Sequence, residues 1–163
     1  MAFVLGCGGE SASTPTDSRP EMKGTASDSG GATPSGRCQF PRLRLAYLPW
    51  LPKGQPVPEP SRERFEGYAQ LDWHDGMSYV LLWRVNETLG GPGELAPSLP
   101  NGAEGYLYAG SSDEDVAQWA IVWGDARADG CNQTTLSLYS PTLTKQEGKQ
   151  EILGLASTLT ESP

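Results

Sequence analysis

Few side chains in this 163-residue chain are of types suited to chemistry: three cysteines, one histidine, five tryptophans and twenty carboxylates. The single imidazole, His74, sits between Asp72 and Asp75 in Asp72-Trp73-His74-Asp75-Gly76-Met77. A general base needs a reacting group within hydrogen-bond reach, whereas a histidine in a hairpin turn is ordinarily solvated. Ser27-Asp28-Ser29-Gly30-Gly31 has the letters of a serine nucleophile, but no strand is expected there to hold an oxyanion hole. Asp113-Glu114-Asp115 offers calcium-type oxygen ligands without the glycine and distal bidentate glutamate of a known loop, so a solvated acidic turn is favoured. A Gly-x-Ser-x-Gly elbow, a Gly-rich phosphate loop, HExxH and a paired-cysteine site are all missing from the sequence. No catalytic residue, metal or cofactor is therefore assigned. Scattered carboxylates keep a hydrolase as the alternative, because the separations such chemistry needs are not written in sequence.

Aromatic side chains are better placed for binding. Trp50 lies in Leu48-Pro49-Trp50-Leu51-Pro52, where the prolines stiffen the backbone and an exposed indole offers a stacking surface for sugar rings or a partner's proline. The competing reading folds Trp50 back as a lid on the core. For Trp83, Trp119 and Trp123, at period two within apolar runs, core packing is the first expectation.

The thiols bear on location. Val4-Leu5-Gly6-Cys7 closes a short apolar run and resembles the lipobox of bacterial lipoproteins. That resemblance implies that residues 1–7 are a shortened signal segment and that Cys7 becomes a lipidated first residue, holding the chain to a membrane on its extracytoplasmic side. Residues 8–37 are almost wholly Gly, Ser, Thr, Pro and charged residues, with Met22 the only large apolar side chain. Such a stretch cannot bury enough surface to offset its ordering, and is expected to be a disordered tether of about 30 Å root-mean-square span. If Cys7 carries lipid, Cys38 and Cys131 remain, and in an oxidising compartment they are expected to form a disulfide. Two buried free thiols in a cytosolic protein are the alternative.

Charge narrows the partners. From Cys38 onward the chain has 9 basic against 16 acidic side chains, a net charge of −7. This balance gives no electrostatic route to nucleic acid and suggests no basic cluster for anionic lipid. The apolar run Val80-Leu81-Leu82-Trp83 ends at Arg84 and is too short to span a bilayer.

Residues 38–160 are long enough for one hydrophobic core. Tyr79-x-Leu81-x-Trp83-x-Val85 puts four large residues on one strand face, with Val80 and Leu82 making the other face apolar too, the pattern of a central strand. Trp119-x-Ile121-x-Trp123 repeats it. Further strands are expected at 43–48, 65–73, 105–109 and 134–139, with loops at 49–60 and 90–102. Asp75-Gly76 predicts a type I′ turn closing a hairpin over 65–86, and Asn101-Gly102 and Asp129-Gly130 mark further turns. Thr144-Lys145-Gln146-Glu147 is a capping box, and Ile152, Leu155, Ala156 and Leu159 form the apolar stripe of one helix. Gly148 and Gly154 weaken that helix by about 1 kcal/mol each relative to alanine, so it is expected to depend on packing against the sheet. The fold class is α+β: an antiparallel sheet of five to seven strands with one C-terminal helix on it.

One further resemblance rests on short motifs. Tyr47-Leu48-Pro49 through Leu51-Pro52-Lys53-Gly54, then Gly105-Tyr106-Leu107, Val122-Trp123, and Leu136-Ser137-Leu138 leading to Leu143-Thr144 and Ala156-Ser157-Thr158-Leu159 follow a recurring order. Over residues 47–159 the chain is similar to a group of bacterial extracytoplasmic domains of unassigned function, found on lipoproteins and membrane-anchored regulators. The resemblance implies location and fold, and transfers no site. The expectation is an extracytoplasmic lipoprotein that binds a saccharide, a small apolar molecule or an envelope protein without catalysis, with a ligand-free spacer as a further alternative.

Overall fold

Asp75 starts the best-defined hairpin. Its carboxylate accepts the backbone N–H groups of Met77 and Ser78 at 2.8 and 2.7 Å, and Gly76 supplies a φ of 97°. The connection has four residues, His74 pairing with Tyr79, so Asp75-Gly76 works as a side-chain-fastened turn and not as a two-residue type I′ turn. The computed structural model describes residues 38–86, 92–110, 115–124 and 131–163. The lipobox, the tether, Asp113, Glu114 and the Asp129-Gly130 turn lie outside the described residues.

The strands are β1 (Leu43–Arg44), β2 (Ser61–Phe65), β3 (Tyr68–His74), β4 (Tyr79–Val85), β5 (Glu94–Ala96), β6 (Gly105–Ala109), β7 (Ala117–Gly124), β8 (Gln133–Ser140) and β9 (Thr160–Glu161), with helix α1 (Lys145–Ser157) between β8 and β9. Seven strands form one antiparallel sheet in the order β2-β3-β4-β8-β7-β6-β5. Two meanders, β2-β3-β4 and β5-β6-β7-β8, therefore meet at the β4–β8 seam. The short β1 and β9 pair separately, Leu43 opposite Glu161.

Helix α1 lies across β7 and β8 and carries the expected capping box, Thr144 accepting from Glu147 N–H while the Glu147 carboxylate accepts from Thr144 N–H at 2.8 Å. Asp115 adds a second acceptor at this end for the Lys145 N–H. Ile152, Leu155 and Ala156 are buried against Leu136, Leu138, Ile121 and Trp123, while Leu159 lies just beyond the helix and also enters the core. The architecture is the α+β sheet-and-helix expected from periodicity. Among the described residues, no helix is long and apolar enough to cross a membrane.

Four expectations need correction. The strand over 65–73 is two strands, because Glu66-Gly67, with Gly67 at φ 81°, makes a tight turn that separates β2 from β3. The strand over 43–48 pairs only at Leu43–Arg44, although burial continues to alternate through Leu45. The loop over 90–102 contains β5. In β4 the face turned to the core is Val80, Leu82 and Arg84, and the larger Tyr79, Leu81 and Trp83 are half-buried on the other side. Trp83, expected to pack in the core, therefore lies on the opposite face.

Candidate functional site

Two Arg-x-Arg pairs line one concavity. Its outer wall is the segment before and within β1, where buried Pro41, Leu43 and Leu45 alternate with exposed Arg42 and Arg44. Its other wall is β2 with Arg62 and Arg64, and its floor is Leu71 and Trp73 of β3. The cleft has a volume of about 1010 Å³, at the upper end of what small-molecule sites occupy.

Each wall is fixed by identifiable contacts. Cys38 and Cys131 form the expected disulfide, with Cα atoms 5.5 Å apart and a sequence separation of 93. It anchors the start of the outer wall to the chain entering β8. The buried Arg84 at the β4–β8 seam donates to the Cys131 carbonyl at 2.9 Å, tying the same corner to the sheet. Farther along, Ser162 N–H donates to the Arg42 carbonyl at 2.7 Å and Arg44 Nε–H donates to Ser162 Oγ at 3.0 Å. Trp73 Nε1–H donates to the Pro58 carbonyl at 2.9 Å and holds the proline-rich loop over the floor.

Phe40 links the two walls. Its ring packs beside the disulfide, and the guanidinium carbons of Arg64 and Arg62 lie 4.4 and 5.5 Å from its centroid, within cation–π range. Stacking of this kind pre-orients a guanidinium without neutralising it. Among the described residues, Glu59 is the sole carboxylate side chain lining the cleft; it reaches Arg62 at 3.7 Å, and both groups are largely exposed, a pairing of small energetic weight. Among the described lining residues, four arginines against one glutamate give a formal side-chain charge of +3. Arginine stays charged at every physiological pH and matches carboxylate or phosphate oxygens in bidentate fashion. The arrangement can hold an anion beside an apolar body.

This basic cleft corrects one part of the inference from charge balance, the expected lack of a basic cluster. Four of the nine basic side chains of the domain converge here although its net charge is −7. The signal was present as Arg42-Leu43-Arg44 and Arg62-Glu63-Arg64, each with the period of a strand, but a charge total hides clustering between segments eighteen residues apart or more.

The other candidates fall elsewhere. Trp50 sits in the turn closed by Leu51 N–H donating to the Leu48 carbonyl, half-buried and packed on the core; it lines neither the arginine cleft nor the hollow described next. Trp123 is buried in the core, and Trp119 packs on it while donating to the Lys145 carbonyl. Trp83 donates to Ser137 Oγ at 3.3 Å. His74 is exposed at the rim of a shallow hollow of about 360 Å³ that also includes Asp72 and Tyr79. There the Tyr79 hydroxyl is pushed up by burial and by the neighbouring Tyr139 and Asp72, and Ser78 Oγ is hydrogen-bonded to Ser140 Oγ at 2.9 Å. Nucleophile and base are not paired in this hollow. Among the described residues, no three His, Cys, Asp or Glu side chains converge as a metal site.

Comparison with protein-family models, with curated proteins and with solved structures finds no match to this chain.

Proposed function

We propose that this chain is an extracytoplasmic lipoprotein, anchored through lipid on Cys7, whose α+β domain is a non-catalytic module binding an anionic ligand in the arginine cleft. The observation that carries the binding reading is the convergence of Arg42, Arg44, Arg62 and Arg64 on one apolar-floored cleft of an otherwise acidic domain. Excess positive charge of this kind is self-repelling unless a counter-charge is supplied. The location reading is supported by the lipobox-like Val4-Leu5-Gly6-Cys7 and by the Cys38–Cys131 disulfide, a bond typical of oxidising compartments.

Dextran sulfate and uncharged dextran make a direct test. The sulfated polymer is expected to bind with an affinity that falls steeply as salt is raised, and the neutral one not at all. Arg42→Gln with Arg44→Gln weakens binding by about tenfold or more, since each charge-assisted contact contributes on the order of 1.5–3 kcal/mol. Trp50→Ala leaves it unchanged. Equal binding of both polymers, or full affinity in the arginine variant, would sink the reading. Mass spectrometry of the native protein tests the anchor by the presence of a diacylglycerol adduct on Cys7.

A further inference from the structure

The outer wall and β2 frame more than a charged hollow. Strand β2 is at the edge of the seven-stranded sheet, all five of its residues are exposed, and among the described residues no segment pairs with its outer side. The two-residue turn Glu66-Gly67 sets Phe65 opposite Tyr68. In an antiparallel ladder closed this way, Phe65, Glu63 and Ser61 direct their backbone groups at β3, while Arg64 and Arg62 turn theirs outward. Those same two residues line the cleft, with their guanidinium groups over the Phe40 ring. An extended chain beside β2 thus meets, at every second position, both a free main-chain pair and a guanidinium. Same-face positions on such a chain are about 6.6–6.8 Å apart, and Arg42 and Arg44 repeat the two-residue spacing on the facing wall.

On the basis of the anionic-ligand reading, we infer that an extended acidic segment of a partner protein adds to the outer edge of β2, beside the cleft, as an eighth strand whose Asp or Glu side chains at alternating positions meet the Arg62 and Arg64 guanidinium groups. Charge complementarity selects this occupant. Opposite charges directly across a strand pair stabilise it and like charges oppose it. A second copy joined two-fold through β2, with the faces of the two sheets aligned, sets arginine opposite arginine in each register that overlaps the strands, so the edge rejects its own kind. A phosphate or sulfate polymer neutralises the guanidinium groups but has no amide N–H for the outward carbonyls of Arg62 and Arg64. Strand addition satisfies both, in the manner of other edge-binding domains.

A Glu-Thr repeat peptide of about ten residues, enough to span a strand, is the probe, alongside the same peptide N-methylated at its Glu amides, the N–H groups that would meet the Arg62 and Arg64 carbonyls. Both have equal charge, but only the first can complete a ladder. The unmodified peptide is expected to bind at least about tenfold more tightly, a gap of about 1.4 kcal/mol. Amide hydrogen exchange should slow at Arg62 and Arg64 while Ser61, Glu63 and Phe65 change little. Arg62→Glu with Arg64→Glu, both on the exposed strand, should transfer the preference to a Lys-Thr repeat. Equal affinity of the methylated peptide, or unchanged exchange at Arg62 and Arg64, overturns strand addition while leaving anion binding standing. Strand addition fails in the same way if neither peptide binds but dextran sulfate does; if no polyanion binds, both readings fall together.

Discussion

At the scale of single residues, Gly148 is where a local rule and the packed structure disagree. Helix propensity alone makes glycine here a weakness of about 1 kcal/mol against alanine. Yet a Cβ at Gly148 would collide with Ala117 Cβ and crowd the Trp119 ring, neither of which is the free end of a flexible chain. The glycine lets α1 approach β7. Gly148→Ala is therefore expected to destabilise the domain by about 1–3 kcal/mol, the usual range for overpacking, seen as a lower urea midpoint. Gly154→Ala is the contrast: among the described residues its only close neighbour is the Tyr47 hydroxyl, the tip of a side chain that can move, so the loss should be smaller. The sequence named both glycines but not what lies above them, because contact across layers is absent from helical periodicity. The arginines were hidden for a related reason. Arg42-Leu43-Arg44 and Arg62-Glu63-Arg64 are each legible as charged positions on a strand, and only the approach of β2 to the outer wall makes them one site.

Elements were more legible than sites, and the reasons differ from element to element. Strand β6 matches its expected bounds, and β7 and β8 extend theirs by one or two residues, because long alternating runs register burial directly. Helix α1 was announced by its capping box, a short-range device that needs no tertiary partner. Short β1, β5 and β9 are held by their neighbours and have little pattern of their own. The capping box gives a prediction with a defined sign in pH. Glu147 is held below the ordinary carboxylate range by the Thr144 backbone N–H and then its hydroxyl, and Asp75 by the N–H groups of Ser78 and then Met77. A depressed carboxylate pKa contributes stability that is complete above its unfolded value and fades as pH falls through the folded value. Both fastenings are thus intact at neutral pH and lost only in acid. Glu147→Gln should flatten the acid limb of the urea midpoint against pH, while Thr144→Ala lowers the midpoint at neutral pH by the equivalent of about 1 kcal/mol.

At the scale of the molecule, the disulfide and the cleft are one problem. The outer wall is fastened at one end by Cys38–Cys131 and at the other by the two-residue β1–β9 pairing and the burial of Leu43, Leu45 and Leu48. The sheet itself does not use the disulfide: its seam is the ladder between β4 and β8, built on Leu82, Leu136 and Leu138. Closing a loop of 93 residues restricts the unfolded chain by up to about 4–5 kcal/mol, so Cys38→Ser with Cys131→Ser should lower global stability. The local effect should come first. With the bond gone, Phe40 loses one of the groups it packs against, and Arg62 and Arg64 lose part of the support beneath their guanidinium groups. Anion affinity should therefore fall under reducing conditions mild enough to leave the sheet's far-ultraviolet circular dichroism intact. A chain whose site depends on this bond binds only where the bond can form, which joins the proposed location to the proposed activity. If dextran sulfate binds the reduced and oxidised forms alike while both are folded, the disulfide supports the fold alone and that connection is broken.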